Sequence, residues 1–195
     1  MKIRKILVAA ALALSATQAS AQGGYIGGSI GQSDIDDEIT SGLINGNQSV
    51  DGKDTAWKIF GGYMFNRHFG LEAAYVDLGE LSYSGTFTDA FGTAPVTGGK
   101  VEVWGFNISA IGALPVTEQF SVFGKIGLFF WEAEANDTTG GRPFSATDDG
   151  ADLSFGVGLG FNFTRNLGVR AEWEMFQNIS DADVSLISVG LFWRF

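Results

Sequence analysis

The 195-residue chain has no cysteine, which excludes a disulfide framework, thiolate chemistry and cysteine metal sites. It has one histidine, His68, so histidine-based catalysis has a single residue to draw on. Proline is scarce, 3 against 28 glycines, unlike the proline-rich composition of disordered tracts. Basic residues are few, 12 against 22 acidic ones, for a formal charge of −10. Nucleic-acid binding needs a basic surface, so no nucleic-acid partner is expected. Beyond Leu14 no apolar run reaches the roughly 20 residues of a transmembrane helix. If the remaining chain crosses a membrane, it does so as strands.

The N-terminus reads as an export signal. Lys2, Arg4 and Lys5 are followed by the short apolar run Ile6 to Leu14, and Ala19-Ser20-Ala21 is a small-residue cleavage site. Residues 1–21 are therefore expected to be a cleaved signal peptide and 22–195 a single mature domain. Cleavage would remove three basic residues, leaving 9 against 22 acidic and a charge of −13. Mean hydropathy is nonetheless positive. The two properties are compatible if apolar side chains face lipid and acids lie in loops.

Period-2 alternation recurs along the chain, and it marks strands with two unlike faces. Eight such segments stand out, near Tyr25–Gln32, Thr55–Phe65, Phe69–Leu78, Val101–Leu114, Phe120–Trp131, Leu153–Phe163, Leu167–Phe176 and Ile187–Phe195. In the sixth, Leu153, Phe155, Val157, Leu159, Phe161 and Phe163 oppose Ser154, Gly156, Gly158, Gly160 and Asn162. Aromatics gather near the strand ends, as interfacial girdles do. Asn66–His68, Pro115–Gln119 and Thr164–Asn166 read as tight turns. Long polar stretches fill 33–54, 79–100 and 132–152, and a shorter one 177–183. Short turns on one side and long loops on the other are the outer-membrane pattern, with turns and both mature termini in the periplasm. A soluble carrier barrel would carry its charges outside and its apolar face inside. The expected fold is thus all-β: an eight-stranded antiparallel up-and-down transmembrane β-barrel.

The segments Asp54-Thr55-Ala56-Trp57-Lys58-Ile59-Phe60-Gly61-Gly62-Tyr63-Met64-Phe65-Asn66 and Phe69-Gly70-Leu71-Glu72-Ala73-Ala74-Tyr75-Val76-Asp77-Leu78-Gly79 resemble strands two and three of the OmpA-type transmembrane domain. Phe123-Gly124-Lys125-Ile126-Gly127-Leu128 and Asn166-Leu167-Gly168-Val169-Arg170-Ala171-Glu172-Trp173 resemble later strands of that family. The resemblance covers essentially the whole mature chain and implies the fold, not an activity. OmpA itself continues into a peptidoglycan-binding domain; no such domain is expected in this chain, so cell-wall anchoring is not expected to carry over. The resemblance also implies that Val189, Leu191, Trp193 and the terminal aromatic Phe195 are an assembly signal. Its readers would be the barrel-assembly machinery, with periplasmic chaperones in transit.

Inward parity collects six charges: Lys58, Glu72, Lys125, Arg170, Glu172 and Glu174. Charges at bilayer depth persist only when paired or solvated. An eight-stranded barrel has just enough interior for side chains to fill. An ion-pair network plugging the lumen is expected, and in the OmpA family a comparable cluster is thought to gate a narrow pore. Acidic runs at Asp34, Asp36, Asp37 and Glu38, and at Asp148, Asp149 and Asp152, are weak candidates for divalent cations bridging lipopolysaccharide phosphates. No spacing matches a defined calcium loop, and solvated acidic loops are the expectation. His68 lies in a turn without a partner nucleophile, so no enzyme activity and no cofactor are expected. The expected role is structural, in envelope integrity, for a monomer among outer-membrane lipid and lipopolysaccharide. The alternative is a small pore or an OmpW-like passive transporter of small or hydrophobic solutes.

Overall fold

The computed structural model describes residues 23–35, 49–51, 53–89, 92–139, 142–180 and 182–195. Eight staves follow one another: β1 (Gly23–Ile35), β2 (Ser49–Asp51 and Lys53–Met64), β3 (Phe69–Asp89), β4 (Gly92–Pro115), β5 (Phe120–Thr139), β6 (Arg142–Asn162), β7 (Leu167–Ile179) and β8 (Ala182–Arg194). Both pieces of β2 pair with β3, so they form one stave. Each stave pairs antiparallel with the next, and β8 pairs with β1. The sheet closes on itself and leaves no edge at bilayer depth, as lipid requires.

Closure is staggered. Partners run from Tyr25 through Gly62, Glu72, Ser109, Gly127, Ser154, Phe176 and Val184 back to β1 at Ile35. The circuit returns ten residues along β1 (35 − 25). That stagger tilts the staves by about 40° and brings residues far apart in sequence to one level.

The apolar parity points outward. Val157 is 56% exposed and Leu191 57%, whereas Lys58 is 1% exposed and Glu174 1%. This is a soluble protein turned inside out, and lipid is the solvent that makes it stable.

Two of the expected loops are not loops. The stretches 79–100 and 132–152 are largely strand, because β3 pairs with β4 as far as Asp89↔Gly92 and β5 with β6 as far as Thr139↔Arg142. A ribbon above the bilayer satisfies its backbone by pairing and has no lipid-facing side, so the alternation that reveals a strand fades there. The same holds at 177–183, where β7 reaches Ile179 and β8 begins at Ala182. The β3 ribbon departs from the barrel at a bulge between Asp77 and Glu80. Gly79 sits there at φ 85°, and a side chain on it would meet Asp54 Oδ2 at 2.7 Å. Tight turns close the opposite end at 65–68, 116–119 and 163–166. The signal-like segment 1–21 lies outside the described residues.

Candidate functional site

Inward parity fixes the site. Lys58 on β2, Glu72 on β3, Lys125 on β5 and Arg170, Glu172 and Glu174 on β7 all project into the lumen and are buried. The stagger levels them, and they form one cluster of three cations and three carboxylates. Lys125 is its hub: Nζ lies 3.1 Å from Glu72 Oε1, 2.7 Å from Glu172 Oε2 and 2.6 Å from Glu174 Oε1. Arg170 donates two bonds to Glu72, from Nη1 at 2.5 Å and Nη2 at 3.1 Å, and its Nε pairs with Glu172. Lys58 Nζ donates to Glu172 Oε2 at 2.8 Å and also pairs with Glu174. Every carboxylate meets at least two cations, so the formal charges cancel inside the cluster. Such a set is tolerable without water only while complete, because removing one partner strands a buried charge.

Two layers enclose it. Toward the tight turns lie Tyr25, Phe60, Phe123 and Phe192, all buried. Tyr25 Oη donates to Glu72 Oε2 at 2.9 Å, and the Arg170 guanidinium stacks 3.3 Å from the Phe60 ring centre. Toward the hairpin end, Phe129 and Phe176 pack with ring centres 4.6 Å apart, beside Leu78, Val76 and Leu186. Between the walls, Asn107 Oδ1 accepts from Ser154 Oγ at 2.9 Å and Ser109 Oγ at 3.1 Å. Glycines make room for the rings. A side chain on Gly158 would strike the Phe123 ring and approach the Ala171 carbonyl to 2.8 Å. Among the described residues, the buried hydroxyls of Ser29 and Ser188 have no hydrogen-bond partner.

The other candidate positions are more dispersed. Val189, Leu191, Trp193 and Phe195 line the outward face of β8, and all are exposed. Asp36, Asp37 and Glu38 lie outside the described residues. Asp148 accepts from Ser180 Oγ at 3.1 Å and Asp152 from Trp131 Nε1 at 2.8 Å. Among the described residues no group of three histidine, aspartate or glutamate side chains is placed to hold a metal. His68 Nδ1 faces the Ala113 carbonyl at 3.1 Å. Sequence reasoning missed Tyr25, Asn107 and the lumen rings. Tyr25 was readable, because it shares parity with Gly27 and Ser29 and opposes Ile26 and Ile30. Phe129 and Phe176 were not, since Phe129-Phe130 and Met175-Phe176 are apolar on both parities.

The family model described as "Outer membrane protein beta-barrel domain" matches residues 6–195. Outer membrane protein A of Salmonella typhi is 29% identical over 207 aligned positions, covering 100% of this chain and 56% of that protein. Outer membrane protein A of Escherichia coli O157:H7 is 28% identical, covering 100% and 55%. The chain thus spans about half the length of these curated relatives. Among solved structures, the attachment invasion locus protein Ail of Yersinia pestis superposes with a TM-score of 0.58 at 18% identity, over 91% of this chain and 100% of that one. Neisserial surface protein A does so with a TM-score of 0.59 at 13% identity, over 92% and 100%. At these identities the structures speak for the fold, and the family model speaks for membership: the chain belongs to the outer-membrane β-barrel family.

Proposed function

We propose that this protein is a structural outer-membrane barrel with a closed lumen, serving envelope integrity and displaying acidic hairpins at the cell surface. The observation that carries this reading is the ion-pair cluster: three cations and three carboxylates, at most 6% exposed, between an aromatic layer and an apolar one. Paired charge that fills an eight-stranded lumen leaves no wide path for solute. In this reading residues 1–21 are a signal peptide removed on export. The tight turns and both mature termini are then periplasmic, and the mature protein is a monomer among phospholipid and lipopolysaccharide. The outward residues Val189, Leu191, Trp193 and Phe195 would present the assembly signal, and deleting Phe195 should lower the folded, heat-modifiable fraction in cells. The family resemblance and the absence of a nucleophile beside His68 speak against catalysis. The curated relatives are named as outer membrane proteins, with no reaction in the name.

Conductance in planar bilayers, with and without apolar solutes, tests the closed lumen. The expected result is a silent bilayer. Resolved channels, or solute flux above that of protein-free membranes, would replace this reading with that of a small pore or a passive transporter.

A further inference from the structure

The three tight turns are built alike. In each, an oxygen on the second residue caps the two amides that lead into the next strand. Asn66 Oδ1 accepts from His68 N at 2.7 Å and Phe69 N at 2.8 Å. Thr117 Oγ1 accepts from Gln119 N at 3.2 Å and Phe120 N at 2.9 Å. Thr164 Oγ1 accepts from Asn166 N at 3.3 Å and Leu167 N at 2.9 Å. The cap fixes the backbone and leaves the next residue at the apex with no structural task. That residue is Arg67 in the first turn, Glu118 in the second and Arg165 in the third, all exposed. Among the described residues, neither arginine makes an ion pair or a side-chain hydrogen bond. Their turns join β2 to β3 and β6 to β7, four staves apart on a ring of eight, so they stand on opposite sides of the barrel.

Outward aromatics also precede each arginine in the strand that enters its turn. Tyr63 and Phe65 lie 5.8 Å apart just before Arg67 in the chain, and Phe161 and Phe163 lie 5.4 Å apart just before Arg165. Rings on the lipid face sit where acyl chain meets headgroup, which sets both guanidiniums at the height of lipid phosphates. A third cation at this end, Arg194, is turned over the inward Phe192 ring at 4.9 Å and belongs to the barrel mouth. Glu118 is the one acid in the three turns. The turn residues are therefore net basic, whereas the exposed charged residues described away from this end of the barrel, Glu102, Glu134, Asp148 and Asp149, are all acidic.

We infer that this rim is a headgroup site for anionic phospholipid. Arg67 and Arg165 each hold the phosphodiester of a lipid whose chains lie against the neighbouring aromatics. A guanidinium offers two parallel N–H groups to two phosphate oxygens. A zwitterionic headgroup brings its own cation to compete for that phosphate, whereas phosphatidylglycerol does not, so the site prefers the anionic lipid. The leaflet it occupies rests on the periplasmic placement of the turns proposed above.

The test refolds the mature protein into phosphatidylcholine vesicles and compares immobilisation of spin-labelled phosphatidylglycerol with that of spin-labelled phosphatidylcholine at low salt. The expected preference is about threefold for phosphatidylglycerol. It should fall to parity in the Arg67→Gln/Arg165→Gln double variant, be reduced but not lost in Arg67→Lys/Arg165→Lys, which keeps the charge without the paired N–H groups, and rise in Glu118→Gln. The capping residues are untouched, and heat-modifiability reports folding of each variant. An undiminished preference in the glutamine double variant overturns the proposal. So does unchanged lipid preference with lost co-sedimentation on cell-wall sacculi, which would make the rim a cell-wall contact. Labelling Gln119→Cys, exposed in the second turn and not a capping residue, in intact cells with a membrane-impermeant thiol reagent reports the sidedness separately. Reaction from outside would fail the orientation and leave the lipid preference standing.

Discussion

Val157 on β6 and Glu172 on β7 belong to adjacent staves, yet one meets lipid and the other meets Lys58, Lys125 and Arg170. The outward face works with a solvent. Acyl chains flow around any apolar side chain, so identity there matters little and polarity matters a great deal. The inward face works with named partners at fixed distances. Identity there decides whether a carboxylate finds its cation or a ring finds its glycine. The same sheet thus carries a tolerant surface and an exacting one, residue by alternate residue.

The inward face is most exacting at Arg170. Arg170→Ala takes both guanidinium bonds from Glu72 and one cation from Glu172, and leaves Lys125 to serve three carboxylates. Stranding a buried charge costs about 3–5 kcal/mol, so the thermal unfolding midpoint in detergent should fall well below that of the wild type. An unchanged midpoint would mean that Arg170 is solvated. Next comes a charge on the tolerant side. Val157→Arg places a cation on the lipid face and should cost about 2–4 kcal/mol at the bilayer midplane, measured by denaturant unfolding from vesicles. A smaller effect follows from size alone on the exacting side. Gly158→Val drives a side chain into Phe123 and toward the Ala171 carbonyl, an overpacking cost of about 1–3 kcal/mol. The smallest effect is its outward counterpart. Leu159→Val removes one methylene from lipid, worth about 0.8 kcal/mol, with no cavity because lipid refills the space. If Leu159→Val destabilised as much as Gly158→Val, the two faces would not differ as described.

The same asymmetry explains what sequence alone could reveal. Parity is local, so Leu153 to Phe163 declare their outward face without help from the rest of the chain. Parity also puts Lys58, Glu72, Lys125, Arg170, Glu172 and Glu174 opposite the apolar side. It cannot say that Arg170 meets Glu72, because that depends on the ten-residue stagger around all eight staves. Nor does it reveal the apolar layer at Phe129 and Phe176, where both parities are apolar. The ribbons reaching Asp89 and Thr139 were hidden for a different reason. Above the bilayer nothing demands an apolar face, and pairing alone holds the strand.

A lumen filled and closed to water can be tested directly, because the chain has no cysteine of its own. Ser188 is 2% exposed, points into the lumen and has no hydrogen-bond partner among the described residues, so Ser188→Cys sacrifices no bond and adds little volume. Its alkylation by a small water-soluble reagent should be measured on the folded protein beside Gln119→Cys in an exposed turn. A filled lumen predicts a rate at least about a hundredfold below the turn position, with full reaction only after unfolding. Comparable rates at the two positions would show water moving freely past the cluster and would contradict the closed lumen.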